Sequence, residues 1–359
     1  MKPHLHIAMR TYVFFAVAML ALVASAAATE SGLAAFARGD FAAAAASFAH
    51  KAAQGDATAQ NNLGVLYLRG KGVTRDYVRA RELFDAAALQ HLPGAMFNLG
   101  IMYLRGYGVS PEPSRAVAWF ERAAAMDDRQ AQFFLGLHYY KGEGVAADAK
   151  LAAEWFERAA TAGLAAAQFN LAMLYLKQPT AAHGESAARV WLERAGQQGH
   201  EQARLHLARL QLGDVSDAAS LGQAAATLRE LADDGMPEAQ TEYGLIHVFG
   251  RGLPSDVEEG TFWLKQAALQ GYAPAQFNLA TVYAQGMGLA PDPVAAYAWL
   301  SLAAAHDPQA ADALSVLEKR LSDSERPRAR ALAGELASKL VRTAESGHQA
   351  SEQIQPGGP

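Results

Sequence analysis

Apolar residues recur along most of the chain at positions three and four residues apart, a spacing that places them on one face of an α-helix. Near the N-terminal end Ala59, Leu63 and Tyr67 share one such face, and a second apolar face follows at 80–88. A Gly-Lys-Gly sequence at 70–72 separates the two. Glycine is common where a helix ends in a left-handed residue, so the pattern predicts two helices joined by a tight turn.

This helical hairpin is repeated at a fixed period. A short motif that begins with alanine and ends in leucine, or once tyrosine, followed by glycine or alanine returns every 36 residues. Its copies begin at Ala59, Ala95, Ala131, Ala167, Ala203, Ala239 and Ala275. The copies at Ala203 and Ala239 are the weaker ones, but they stay in register. We therefore predict seven units at 56–307 without insertion or deletion, in an all-α repeat protein.

Glycines and tryptophans follow the same register. Gly-x-Gly loops stand at 70–72, 106–108, 142–144, 250–252 and 286–288. The tryptophans occupy one position of the second helix, at Trp119, Trp155, Trp191, Trp263 and Trp299. Their helical spacing beside alanine pairs favours core packing over a ligand groove. A glycine or alanine after the motif leucine, as at Gly64 and Gly100, predicts a close crossing of the two helices.

Units four and five depart from the loop pattern. They have Gln-Pro-Thr at 178–180 and Asp-Val-Ser at 214–216 where Gly-x-Gly is expected. Sequence drift in a tolerant array explains this, and a modified contact surface is the alternative.

The combination of A-x-Q-x-N-L-G-x-x-Y, G-x-G-V and A-x-x-W-F-x-x-A-A resembles the Sel1-like repeat family, relatives of the tetratricopeptide repeats. The resemblance extends over about 32–341. It implies a right-handed α-solenoid that holds other proteins together. Secreted bacterial members of this family include regulators that bind envelope sensor proteins, so the partner implied here is a protein or peptide.

The N-terminal segment is predicted to be a signal peptide. Lys2 and Arg10 precede an uncharged apolar run at 12–23, and small residues follow it. Twelve apolar residues span about 18 Å as a helix, which is short for the alternative, a membrane anchor. We expect cleavage after about residue 28 and a periplasmic or secreted protein with no membrane insertion after the leader is removed.

The segments that flank the seven repeats are expected to cover the apolar faces of the first and last repeats. Residues 29–55 read as an N-terminal capping half-repeat, and 308–342 as C-terminal capping helices. Ser322 and Glu325 have the spacing of a capping box, although Pro327 favours Ser324 as the start of the last helix. The polar segment 343–359 is predicted to be disordered.

Composition excludes several classes of protein. A hydrophobic content of 51% with 19% charged residues is incompatible with a largely disordered chain. The absence of cysteine excludes disulfides, thiolate zinc sites and cysteine nucleophiles. The net charge is −5 and there is no long basic block, so we expect no nucleic-acid partner.

We also expect no enzymatic activity, no cofactor and no metal site. The sequence has no H-E-x-x-H, no nucleophile elbow and no phosphate-binding loop after a strand. His138 and His247 lie on predicted helices at unrelated register positions, where we expect partial exposure rather than ligation. The alternative is an envelope hydrolase acting on cell-wall or β-lactam material, an activity credited to some secreted relatives. Those relatives are rich in cysteine, which this chain lacks.

Two polar columns are the candidate peptide-binding face. The asparagines are Asn62, Asn98, Asn170 and Asn278, and the cations are Arg69, Arg105, Lys141 and Lys177. Asn62 and Arg69 are seven residues apart and share a side of the first helix. In related repeats that helix lines the concave surface, where such side chains can bind a peptide backbone or carboxylate. The alternative is structural: a cation in the last turn favours the helix dipole, and asparagine can bond the adjacent unit.

Overall fold

The computed structural model describes residues 30–177, 179, 184–213 and 217–353, and its regular elements are all helices. The described residues form α1 Glu30–Ala37, α2 Phe41–Ala52, α3 Ala57–Arg69, α4 Tyr77–Leu89, α5 Pro93–Arg105, α6 Pro113–Ala124, α7 Arg129–Lys141, α8 Ala149–Thr161, α9 Ala165–Lys177, α10 Glu185–Gln197, α11 Glu201–Gly213, α12 Ala218–Asp233, α13 Pro237–Phe249, α14 Val257–Leu269, α15 Ala273–Gln285, α16 Pro293–Ala303, α17 Pro308–Arg320 and α18 Glu325–Gln353. The predicted leader at 1–28 and, Pro179 apart, the altered loops at 178–180 and 214–216 lie outside the described residues.

The helices form two compact units. The first ends at Gln198 and contains α1 to α10, and the second begins at Gly199 and contains α11 to α18. Within each unit, helices that are consecutive in the chain pack against each other, except that α18 packs mainly on α16 rather than on α17. The predicted all-α hairpin repeat is therefore confirmed in both units.

Each hairpin turn depends on a left-handed glycine where its first helix ends. In five repeats the residue after that helix is glycine at φ between 65° and 73°, namely Gly70, Gly106, Gly142, Gly250 and Gly286. The residue before the second helix is often aspartate, and its carboxylate accepts a hydrogen bond from a first-turn N–H, as Asp76 does from Arg79 at 2.9 Å. The left-handed glycines predicted from the sequence are confirmed here.

The second glycine of each loop brings neighbouring repeats into contact. A Cβ atom on Gly72 would lie 2.2 Å from the carbonyl carbon of Phe41, at the start of α2. A Cβ atom on Gly144 would lie 2.5 Å from the carbonyl carbon of Pro113, at the start of α6. This glycine is therefore required for the approach of a loop to the preceding second helix, in addition to its positive φ.

The two helices of a hairpin cross closely at the residue after the motif leucine. A Cβ atom on Gly100 would lie 2.4 Å from Phe120 Cε1, and one on Gly136 would lie 2.5 Å from Phe156 Cδ1. Repeats that carry alanine at this position, such as the one with Ala172, have leucine in place of the phenylalanine, here Leu192. The predicted close crossing is confirmed, and the sizes of the two residues match.

The prediction for the tryptophans is correct only in the second unit. Trp263 and Trp299 are 7% and 4% exposed, whereas Trp119, Trp155 and Trp191 are half-buried. The guanidinium groups three residues later lie over these three rings, at 4.2, 4.5 and 4.6 Å from the centroids. Phe120, Phe156 and Leu192, the residues that follow these tryptophans, are buried in the core, and each indole at the surface is covered by an arginine.

The C-terminal end is closed by α17 and α18. Ser322 N–H donates to Glu325 Oε2 at 2.8 Å, and Glu325 N–H donates to Ser322 Oγ at 3.3 Å, as in a capping box. Helix α18 begins at Glu325, so Pro327 lies in the first turn, where its missing N–H breaks no helical hydrogen bond. The helix continues to Gln353, past the boundary at 342 predicted from the sequence, because 343–353 is rich in helix-forming residues and contains no proline.

Candidate partner-binding face

The cations of the candidate face lie in the last turns of four first helices, where a positive charge favours the helix dipole. Arg69 ends α3 and is half-buried, and this burial lowers the pKa of its guanidinium. Arg105 ends α5 and is exposed. Among the described residues neither arginine has an ion pair.

The two lysines contact neighbouring side chains. Lys177 Nζ donates a 2.8 Å hydrogen bond to the hydroxyl of Tyr140, which belongs to the preceding repeat. Lys141 Nζ lies 3.7 Å from Glu143 Oε1. The Lys177 contact shows that this part of the first helices is continuous from one repeat to the next.

The asparagines occupy a different place from the cations. Asn98 Nδ2 donates to Asn61 Oδ1 on the preceding first helix at 2.9 Å, and Asn170 Nδ2 donates to the carbonyl of Ala166 at 2.8 Å. Asn62, Asn98 and Asn170 are buried, at 4%, 7% and 6% exposure. Only Asn278 is half-buried, and its Nδ2 donates to the Pro274 carbonyl at 2.8 Å. The structure thus places three of the four between or within the helices, as the structural alternative expects.

Apolar side chains that the sequence analysis did not single out lie beside the cations. They stand one and four residues before each cation, which places them on the same helix face. They are Val65, Leu68, Ile101, Leu104, Leu137, Tyr140, Met173 and Leu176. All but Val65 and Ile101 are half-buried. We call these eight residues with the four cations the open face. The spacing of these apolar residues is visible in the sequence, but their partial exposure is not.

The same positions differ in the second unit. Gly213, Phe249 and Gln285 replace the cations. Arg209 replaces Met173 in this register, and its Nε donates to Glu242 Oε1 at 3.2 Å, so an ion-paired side chain stands where the first unit has an apolar one. The open face is therefore a property of the first unit.

A buried glutamine column, also missed from the sequence, stabilises the hairpins. Gln168 Nε2 donates to the Ala160 carbonyl at 3.1 Å, and Gln198 Nε2 donates to Gln168 Oε1 at 2.8 Å. Gln240 and Gln270 repeat this pair at 2.8 Å. The glutamine of the A-x-Q motif is thus a packing residue. Its side chain joins the C-terminal end of the second helix of the preceding hairpin to the C-terminal end of the second helix of its own hairpin.

The structure places the described histidines apart from any candidate metal site. Within the described ranges no group of three or more His, Asp or Glu side chains is placed to hold a metal ion. The expectation of partial exposure is wrong for His138, which is 3% exposed and whose Nδ1 lies 2.7 Å from the Glu143 carbonyl oxygen. Burial lowers the pKa of this imidazole. His247 is half-buried.

Repeated helical hairpins and left-handed loop glycines define a helical-repeat protein. The family model of the Sel1 repeat matches 57–92, 93–128, 129–164, 165–200, 237–272 and 273–308, and the chain belongs to this family. Sel1 repeat proteins are generally scaffolds for protein–protein interaction. The stretch 201–236 is not among the matches, although α11 and α12 form a hairpin there.

One solved structure supports the family assignment, and a second is similar in sequence. The chain is similar to a protective antigen present in uropathogenic Escherichia coli strains that displays an SLR fold, with 27% identity over 89% of this chain and 75% of that one, at a TM-score of 0.54. A Sel1 repeat protein from Oxalobacter formigenes is 28% identical over 78% of this chain and 100% of that one, at a TM-score of 0.47. No curated protein matches the chain. In the part of the chain that the structure describes, no helix has the length and apolar character needed to cross a bilayer.

Proposed function

We propose that the protein is a non-enzymatic interaction scaffold that binds a protein or peptide through its open face. The observation that carries this proposal is the juxtaposition of half-buried apolar side chains with a row of cations on four successive first helices. Arg69 and Arg105 supply charge that no described acidic group neutralises. Partially exposed apolar surface beside such charge is the composition of a protein-binding surface.

Charge reversal tests this proposal. The variant Arg69→Glu, Arg105→Glu and Lys141→Glu is compared with Lys150→Glu, an exposed cation at the start of α8. Both proteins are used to capture partners from envelope extracts, which are identified by mass spectrometry, and helical circular dichroism checks folding. The triple variant is expected to lose partners that the Lys150 variant keeps, and identical capture by both would reject the proposal.

Export and regulation are further parts of the proposal. The apolar run at 12–23 with basic residues before it supports export through a signal peptide. N-terminal sequencing of the protein from the periplasm is expected to show a start near residue 29, and a cytoplasmic protein with an intact leader would reject export. If the partner is an envelope sensor, deletion of the gene changes transcription of the sensor's targets, whereas unaltered transcription rejects that role.

A further inference from the structure

We propose that the open face binds an amphipathic α-helix whose apolar side is bordered along one edge by acidic residues. This inference rests on the proposed function and adds the conformation and charge of the partner segment. It is argued from the arrangement of the open face within the first compact unit.

The apolar part of the open face is continuous across repeats. Each of the four first helices contributes two apolar residues separated by three positions, and no charged residue interrupts the eight. The contact of Lys177 with Tyr140 joins two neighbouring repeats along this surface. The result is a strip of apolar side chains, six of them half-buried, that crosses α3, α5, α7 and α9.

The hydrogen-bonding groups nearby favour a helical partner over an extended one. An extended peptide needs side-chain amides to pair its backbone groups, because it cannot pair them itself. Asn98 and Asn170 are buried and already bonded within the protein. A helix satisfies its own backbone hydrogen bonds and presents a continuous apolar side, so it suits this strip.

The charges along the strip are asymmetric. The four cations lie on one edge, at the C-terminal ends of the first helices. The other edge, one to two turns before the apolar pair, carries Thr58, Gly94, Gln130 and Ala166, which are uncharged. Acidic residues on a bound helix are therefore favoured on one side of its apolar face only. This asymmetry determines the rotation of the bound helix about its own axis.

The length of the strip sets the length of the partner. First helices of adjacent repeats pack about 10 Å apart, so four of them span about 30 Å between the outer axes. A helix of about 20 residues has this length.

Binding of designed peptides tests the inference. A fluorescent peptide of about 20 residues carries leucines at helical spacing and glutamates along one flank. A second peptide has lysines in place of the glutamates, and a third has the first composition but two interior prolines that prevent a helix. Fluorescence anisotropy measures the Kd of each for the protein expressed with its own leader and purified in the form that the cell yields.

The glutamate peptide is expected to bind at least about tenfold more tightly than the lysine and proline peptides. Arg69→Glu with Arg105→Glu is expected to weaken it about tenfold, as is Leu104→Ser with Met173→Ser, whereas Lys150→Glu leaves the Kd unchanged. The pair of serine substitutions lies on a half-buried surface and is checked for folding by circular dichroism.

Equal binding of the three peptides, or glutamate-peptide binding that neither pair of substitutions weakens, would overturn the inference. A further outcome distinguishes failure of this inference from failure of the proposed function. If no peptide binds but charge reversal still releases captured partners, the helical partner is rejected and the scaffold role stands. If no peptide binds and charge reversal changes nothing, both are rejected.

Discussion

The close crossing of the two helices in a hairpin gives a quantitative prediction at Gly100. Replacing this glycine by alanine places a Cβ atom 2.4 Å from Cε1 and 2.6 Å from Cδ1 of Phe120. Phe120 is 0% exposed and its ring packs against the rings of Phe97, Phe134 and His138, so it can move only by displacing them. Overpacking of this kind costs about 3 kcal/mol, and the higher helix propensity of alanine returns about 1 kcal/mol. We therefore expect Gly100→Ala to lower the free energy of unfolding by about 2 kcal/mol.

A second substitution should relieve the clash. Phe120→Leu alone is expected to cost about 1.5 kcal/mol, because the smaller side chain leaves part of the core unfilled. Combined with Gly100→Ala it recreates the alanine and leucine pair found at Ala172 and Leu192. The double variant should then be more stable than the sum of the single effects by about 2 kcal/mol.

Urea unfolding followed by helical circular dichroism measures these differences, with midpoints compared at equal slopes. The control is Gly222→Ala, an exposed site within α12 where an added Cβ meets no atom within 4 Å, and it should be neutral or stabilising by up to about 1 kcal/mol. Wild-type stability of Gly100→Ala, or additive effects in the double variant, would refute the reasoning.

Three further predictions concern the loops, the response to acid and the glutamine pairs. Gly144→Ala should cost more than Gly163→Ala in urea unfolding, by about 2 kcal/mol, since both have positive φ but only Gly144 approaches another backbone. Burial lowers the pKa of His206 to about 4 in the folded protein. At pH values between this pKa and the higher pKa of an ordinary histidine, the imidazole is protonated in the unfolded state but neutral in the folded state. Stability should fall by about 1 to 2 kcal/mol as the pH drops from 7 to 5, and His206→Gln should reduce this fall. Gln198→Ala removes the hydrogen bond to Gln168 and should cost about 1 kcal/mol, measured as a shift in the urea midpoint, and no shift would contradict its packing role.

The fold could be predicted from the sequence because the same local sequence features occur in many repeats. The 36-residue period, the glycine after each first helix and the small residue at the crossing each appear in several copies. A residue type that recurs at the same position in several repeats is distinguished from a chance occurrence and indicates a structural role. The same argument failed for Trp119, since a periodic position does not reveal which of two adjacent aromatic residues reaches the core.

The candidate site was harder to predict because burial depends on contacts between repeats. Asn98 and Arg105 are both polar and both periodic, but the structure buries Asn98 against the preceding helix and leaves Arg105 exposed. Leu104 was overlooked since apolar residues on a helix are normally assigned to the core. Only the structure shows that Leu104 stays half-buried beside the cations.

Site-specific photocrosslinking in cells tests the central claim, that the open face is the surface that binds a partner. A crosslinking residue is placed at Leu104 on α5 or, as a matched control, at Ala118 on the exposed side of α6 in the same repeat. The account predicts a crosslinked adduct of defined mass from position 104 and none from position 118. An adduct from position 118 alone would contradict it.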